Sequence, residues 1–154
     1  MGLELGTSFK RVIPEVEKLS DDKVRRVVIT SGKVYYDLFE ARIAQKIDDI
    51  AIIRTEQYYP FPERELKTEL ARYKNAEFVW CQEEPQNMGA WTFMAPRIED
   101  VLESIGRKER LRYAGRVAAA SPAAGYIKIH EREQKALVDL ALQPAKVTLK
   151  AAKA

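Results

Sequence analysis

Val24-Arg25-Arg26-Val27-Val28-Ile29-Thr30-Ser31-Gly32 is a short β-branched run that stops at a serine and a glycine. A run of that kind reads as a buried strand. Val34, Tyr35, Leu38, Phe39, Ile43 and Ile47 then recur at steps of three and four, the spacing of a helix with one apolar face. Ile50 to Arg54 is a second buried strand. Strand, helix and strand in that order demand a right-handed crossover and parallel pairing. The pattern continues downstream. Pro60-Phe61-Pro62 closes the next loop, and Pro62 suits the first turn of a helix because its missing N–H needs no partner there. Glu63 and Glu65 favour the same end. Leu66, Leu70 and Tyr73 mark the buried side of that helix, and Asn75 is its stop. Glu77 to Gln82 is the third strand. Trp91, Met94, Ile98, Val101, Leu102 and Ile105 give a third helix ended by Gly106, with Pro96 predicting a kink or a later start. Leu111 to Gly115 is a short fourth strand, Ser121-Pro122-Ala123-Ala124-Gly125 a turn, and about Tyr126 to Leu142 the last helix, before Pro144.

This alternation specifies an α/β fold, a three-layer α/β/α sandwich around a mostly parallel sheet. Residues 1–7 are expected to precede the fold, residues 8–142 to form one domain, and residues 143–154 to be a disordered tail rich in lysine and alanine. Within the domain, residues 8–23 are expected to pack on the sheet edge.

Composition narrows the function classes. A chain of 154 residues is one domain and buries roughly 70% of its unfolded surface, so it needs no staple. The net charge of +3 is too small to argue for nucleic acid, and basic and acidic residues are interspersed as on solvated helix faces. One cysteine, Cys81, excludes an internal disulfide, and one histidine, His130, excludes a His-rich zinc centre. No apolar run is long enough for a membrane helix, and Met1 to Thr7 lack a signal-peptide pattern. A reducing, soluble compartment is expected.

The densest chemistry lies in Trp80-Cys81-Gln82-Glu83-Glu84-Pro85-Gln86-Asn87-Met88-Gly89-Ala90-Trp91, where an apolar strand enters a polar loop and then a helix. In open α/β sheets, ligands and partners meet such loops at the carboxyl ends of strands. Glu83 and Glu84 have the residue type of a general acid and base. Adjacent residues point apart, however, and docking or helix-end charge compensation is the favoured reading. Ser31-Gly32-Lys33 opens a helix and could hold a phosphate or carboxylate. Without the P-loop or G-x-G-x-x-G patterns, a turn glycine beside a solvated lysine is favoured. Tyr58-Tyr59-Pro60-Phe61-Pro62 reads either as local packing or as an exposed apolar rim of an interface. Arg112, Arg116 and the Ser121-Pro122 turn add a basic side, or else form a capped loop. Cys81 reads as a buried small hydrophobe and His130 as a surface residue. No catalytic residue and no metal ligand is assigned.

Four blocks carry a resemblance. They are Thr30-Ser31-Gly32-Lys33-Val34-Tyr35-Tyr36-Asp37-Leu38, Glu56-Gln57-Tyr58-Tyr59-Pro60-Phe61-Pro62, Trp80 to Trp91, and Gly115-Arg116 followed by Ala120-Ser121-Pro122-Ala123-Ala124-Gly125. In this order, over about Ser8 to Leu142, the chain resembles the C-terminal domain of the E1 component of the 2-oxoglutarate dehydrogenase complex. The resemblance implies a fold of the transketolase C-terminal type. It implies a full-length enzyme that uses thiamine diphosphate and magnesium to decarboxylate 2-oxoglutarate in the citric acid cycle. That enzyme passes the succinyl group to the lipoyl arm of the E2 subunit. The thiamine-binding domains of the same subunit would precede this region, so the chain resembles an excised terminal piece, binding no cofactor and inactive alone. Its implied partners are those domains, the second E1 subunit and E2. Ser31, Gly32, Lys33, Tyr58, Tyr59, Gln82, Glu83, Glu84, Gln86, Asn87, Trp91 and Arg116 carry over as interdomain surface with a possible anion contact. Many members have a second basic residue after the arginine of Gly115-Arg116, where this chain has Val117. Two other readings stand beside this one: a free-standing nucleotide or coenzyme A module using Ser31-Gly32-Lys33, and a small hydrolase using Glu83 or Cys81. The interdomain reading predicts that the Gln82–Trp91 and Tyr58–Pro62 loops form one exposed patch.

Overall fold

The computed structural model describes residues 10–116 and 127–143, apart from the side chains of 127–130. Five strands form its sheet: β1 (Val12–Ile13), β2 (Arg26–Thr30), β3 (Ile50–Thr55), β4 (Glu77–Pro85) and β5 (Arg112–Arg116). The helices are α1 (Val34–Ala44), α2 (Glu63–Leu70), α3 (Trp91–Ser104) and α4 (Ile127–Ala141). The strand order is β1-β3-β2-β4-β5, parallel throughout except for β1, which runs antiparallel to β3.

The strands are buried on both faces, and their side chains divide between two cores by alternation. Val27, Ile29, Phe78 and Trp80 pack with Leu66 and Leu70 of α2 and with Met94 and Ile98 of α3. Val28, Ile52, Val79 and Cys81 pack on the other face with Val34 and Leu38 of α1 and with Leu137 and Val138 of α4. This is the three-layer α/β/α arrangement expected. At the close of α3 the Gly106 amide donates to Glu103 O at 3.0 Å and the Arg107 amide to Leu102 O at 2.9 Å. With Gly106 at φ +84, this is a Schellman ending, as its position predicts.

Five local expectations are corrected. The segment before residue 23 does more than pack on the edge: Val12 and Ile13 pair with Thr55 and Arg54 as a fifth strand. The third strand runs past Gln82 to Pro85, with an irregularity between Cys81 and Pro85, so Glu83 and Glu84 belong to a strand end rather than to a loop. Ile43 is 52% exposed, whereas its neighbour Arg42 is buried. That helix stops at Ala44, and Arg42 turns inward to donate to both oxygens of Glu15, at 2.5 and 2.8 Å. Helix α2 ends at Leu70, before Asn75, whose side-chain amide donates to Asp22 O at 3.0 Å. Pro96 lies within α3, which starts at Trp91 without delay.

A second buried guanidinium ties layers together. Arg26 donates to Glu77 Oε2 through Nε (2.8 Å) and Nη2 (2.6 Å), and through Nη1 to Ala141 O at the end of α4 (3.1 Å). Among the described residues, no helix is long and apolar enough to cross a membrane. The expected 1–7 lead-in, the Ser121–Gly125 turn, Val117, the His130 side chain and the tail beyond Gln143 lie outside the described residues.

Candidate functional site

The carboxyl ends of β2, β3 and β4 open on one side of the sheet, where the chain must turn into a helix after each strand. Ser31 and Gly32 follow β2, Tyr58 and Tyr59 follow β3, and Gln82 to Ala90 close β4 and lead into α3. These segments meet around a cavity of about 340 Å³ lined by Ser31, Gly32, Tyr58, Tyr59, Gln82, Glu83, Glu84, Gly89, Ala90 and Phe93. Two loops that sequence places apart, 58–62 and 82–91, thus share one cavity, and Tyr59 stands 83% exposed at its rim.

Gln82 holds the site together. Its side chain is buried, and its amide oxygen accepts from Trp80 Nε1 at 2.9 Å and from the Trp91 amide at 3.0 Å. Its amide nitrogen donates to the carbonyls of Glu84 (3.2 Å), Pro85 (3.0 Å) and Met88 (2.8 Å). One side chain therefore closes the loop onto the first turn of α3 and onto the core indole. Gly89 completes the turn at φ +67, where a Cβ would lie 2.9 Å from Glu84 Oε1. Only glycine suits that position.

Arg116 faces inward. It pairs with Glu133 at 2.9 Å, donates to Gln134 Oε1 at 3.2 Å and contacts the Glu83 carbonyl. Gln134 passes the connection on to Asp37 Oδ2 at 2.8 Å, so β4, β5, α4 and α1 are joined. The Tyr113 hydroxyl donates to Arg116 O at 2.6 Å, and its ring meets Trp91 edge-on at 5.1 Å. Burial first, then the nearby Cys81, pushes the Tyr113 phenol up. The Tyr58 phenol is also raised, chiefly by burial, with the Ser31 hydrogen bond acting the other way.

Several residues read as a group separate here. Ser31, Gly32, Tyr58, Tyr59, Gln82, Glu83 and Glu84 line the cavity. Lys33 is exposed at the start of α1, and Asn87 is exposed in the loop. Gln86 donates its amide to Arg116 O at 3.1 Å, and Trp91 packs against Tyr113. Arg54 is at the same sheet end, its guanidinium 4.6 Å from the Tyr35 ring centroid and 3.3 Å from Glu56, a contact that its place in an apolar strand does not signal. Phe93 also lines the cavity, although only its place one turn into α3 hints at it.

Cys81 is fully buried and its thiol is pushed up by that burial, the opposite of an activated nucleophile. Among the described residues no three His, Cys, Asp or Glu side chains converge as a metal site. Glu83 and Glu84 stand where an anion would enter, which disfavours a phosphate beside Ser31 and Gly32.

Comparison with known proteins bears on this surface. The family model described as 2-oxoglutarate dehydrogenase C-terminal matches residues 2–142. The chain is 55% identical over 123 residues to the 2-oxoglutarate dehydrogenase E1 component of Brucella anthropi, covering 79% of this chain and 12% of that protein. The proteins of the same name from Brucella ovis and Brucella canis match to the same extent. The chain therefore spans about an eighth of the length of the curated relatives it matches.

Proposed function

The chain belongs to the 2-oxoglutarate dehydrogenase C-terminal family, and from that premise we propose that it is the assembly and regulatory domain at the end of a longer E1 subunit. The complete subunit, in this reading, decarboxylates 2-oxoglutarate and transfers the succinyl group to lipoyl-bearing E2 in the citric acid cycle of a bacterial cytoplasm. The domain itself supplies surface to the thiamine-binding domains of its own subunit and to the second E1 subunit.

The observation that carries this reading is the meeting of the two loops around one open cavity, with Tyr59 almost wholly exposed beside Glu83 and Glu84. A tyrosine so placed exposes apolar surface that an interface would cover. Thiamine diphosphate does not fit the described residues. A diphosphate would face Glu83 and Glu84, and no three His, Cys, Asp or Glu side chains among the described residues converge to hold its magnesium ion. No catalytic step is assigned to this chain. The cofactor chemistry falls to polypeptide outside it.

The test is complementation. Purified chain supplied with 2-oxoglutarate, thiamine diphosphate and magnesium is expected to release no carbon dioxide. A relative's E1 subunit lacking its own C-terminal domain should bind the chain, and Tyr59→Ala or Glu84→Lys should weaken that binding. Turnover by the chain alone would overturn the proposal, as would failure of the truncated subunit to bind it.

A further inference from the structure

The cavity at the strand ends also says what a partner brings to it, an inference that rests on the assembly reading above. Its charged lining is of one sign. Glu83 is half-buried and Glu84 exposed, and neither carboxylate is in an ion pair among the described residues. Arg116 contacts the Glu83 carbonyl, but its ion pair is with Glu133 at 2.9 Å. Glu84 also acts on the Tyr58 phenol, adding to the upward push of burial. The two tyrosines of the lining are held differently. Tyr58 meets the core indole of Trp80 edge-on at 6.4 Å, and its hydroxyl is bonded to Ser31. Tyr59 has neither a ring nor a cation against it among the described residues.

Elsewhere the same molecule shows repeatedly what it places between a ring and a carboxylate. Arg42 lies 5.4 Å from the Phe39 ring centroid and 2.5 Å from Glu15. Arg54 lies 4.6 Å from the Tyr35 centroid and 3.3 Å from Glu56. Arg72 is 5.3 Å from the Tyr73 centroid and 3.2 Å from Asp21. Arg107 is 5.0 Å from the Phe78 centroid and 3.0 Å from Glu109. No lysine packs on a ring among the described residues, although the chain has as many lysines as arginines. The reason is geometric. A guanidinium lays a flat, weakly hydrated face on the ring while its edge N–H groups reach a carboxylate. A compact, strongly hydrated ammonium does one of these at the cost of the other.

We propose that the cavity takes an arginine side chain from the part of the E1 subunit that this domain docks against, its guanidinium on the Tyr59 ring and its N–H groups on Glu83 and Glu84. Tyr59 and the two acids then supply for a partner's arginine what Tyr35 and Glu56 supply for Arg54. Two carboxylates at adjoining positions repel each other, and covering them without a cation would bury uncompensated charge. The same pair therefore admits a basic segment and turns away an apolar or acidic one.

Calorimetric titration of the chain into a relative's E1 subunit lacking its C-terminal domain reads the pairing. Glu83→Gln/Glu84→Gln keeps the shape and removes the charge, and it should weaken binding roughly tenfold, a gap that closes at about 1 M salt, where the screening length is about 3 Å. Tyr59→Phe should bind like the unsubstituted chain, and Tyr59→Leu roughly two- to fivefold more weakly. Phenylglyoxal, which modifies arginine and not lysine, should be kept from one arginine of the truncated subunit while the chain is bound, and mass spectrometry identifies that arginine. Binding that the double substitution leaves unchanged, or that shields lysines and no arginine, would overturn this inference and leave the assembly reading standing. No binding by the unsubstituted chain would remove both.

Discussion

Replacing Gln82 by leucine keeps the volume of a buried side chain and removes the amide that organises the 82–91 loop. Two bonds to its oxygen are lost, from Trp80 Nε1 and the Trp91 amide, along with the donations to Glu84, Pro85 and Met88 carbonyls. The losses are unequal. The Trp80 indole is buried, so its N–H has no water to turn to, at about 1–3 kcal/mol. The Glu84 and Met88 carbonyls are only partly buried and can rehydrate, leaving about 1 kcal/mol for each net bond. An amide nitrogen has two hydrogens to share among three carbonyls, so two such bonds count, and the Trp91 amide to the Gln82 oxygen makes a third. Leucine returns part of the loss through apolar burial. The expected cost is about 3–4 kcal/mol, a large share of the roughly 5–15 kcal/mol that stabilises a domain. Urea unfolding followed by tryptophan fluorescence is the natural assay, because both tryptophans of the chain bond to Gln82. The midpoint should fall with the slope unchanged. Gln82→Glu keeps the acceptor and loses the donors, and at neutral pH it should be at least as damaging. A loss under about 1 kcal/mol for Gln82→Leu would refute the view that this amide holds the loop.

Three further outcomes test other parts of the structure. Glu15→Ala strands the buried Arg42 guanidinium and the Ile52 amide, which donates to Glu15 at 2.6 Å, so denaturant unfolding should show a loss of about 3–5 kcal/mol. The pair Glu15→Leu/Arg42→Met should be less destabilised than Glu15→Ala alone. Gly115→Ala would put a methyl 2.5 Å from the Tyr113 hydroxyl and 2.9 Å from the Gln82 carbonyl, and calorimetry should show a lowered Tm for a cost of roughly 1–3 kcal/mol. Burial pushes the Tyr73 phenol up to about 12, so the unfolded chain loses this proton first and the contribution to stability, full below about pH 10, is lost as pH rises towards 12. Tyr73→Phe should therefore flatten the fall in unfolding free energy over that alkaline window, and an unchanged slope would remove Tyr73 as its source.

The parallel strands and their crossovers were legible because burial on both faces forces continuous β-branched runs, and Val27-Val28-Ile29 and Ile50-Ala51-Ile52-Ile53 are such runs. Gly106 was legible for a similar reason, since the turn it makes needs a positive φ. Strand β1 was not. Two residues, Val12 and Ile13, carry no period, and the strand exists because Thr55 and Arg54 offer it an edge. The inward turn of Arg42 was hidden too, since its partner Glu15 is 27 positions away and each alone reads as a surface charge. At the site, the loops and their clustering could be inferred from strand order. Gln82's role could not, because a glutamine at a strand end looks the same whether it faces solvent or bonds to five neighbours.

Gln82 and Glu84 are two residues apart and do opposite things, and the contrast says what kind of surface this is. A loop of free carbonyls and amides would have to order itself when a partner arrived, and that entropy would weaken the contact. Here Gln82, Gly89 and the Arg116–Glu133 pair fix the backbone from inside before any partner is present. The groups left outward, Tyr59 and the Glu84 carboxylate, are those that the backbone does not need. Substitutions at Gln82 should therefore act on stability and binding together, whereas Tyr59→Ala should reduce binding to the truncated subunit with little change in unfolding free energy. Equal stability losses at the two positions would mean that Tyr59 also belongs to the internal scaffold, and the division between a held frame and a presented face would fail.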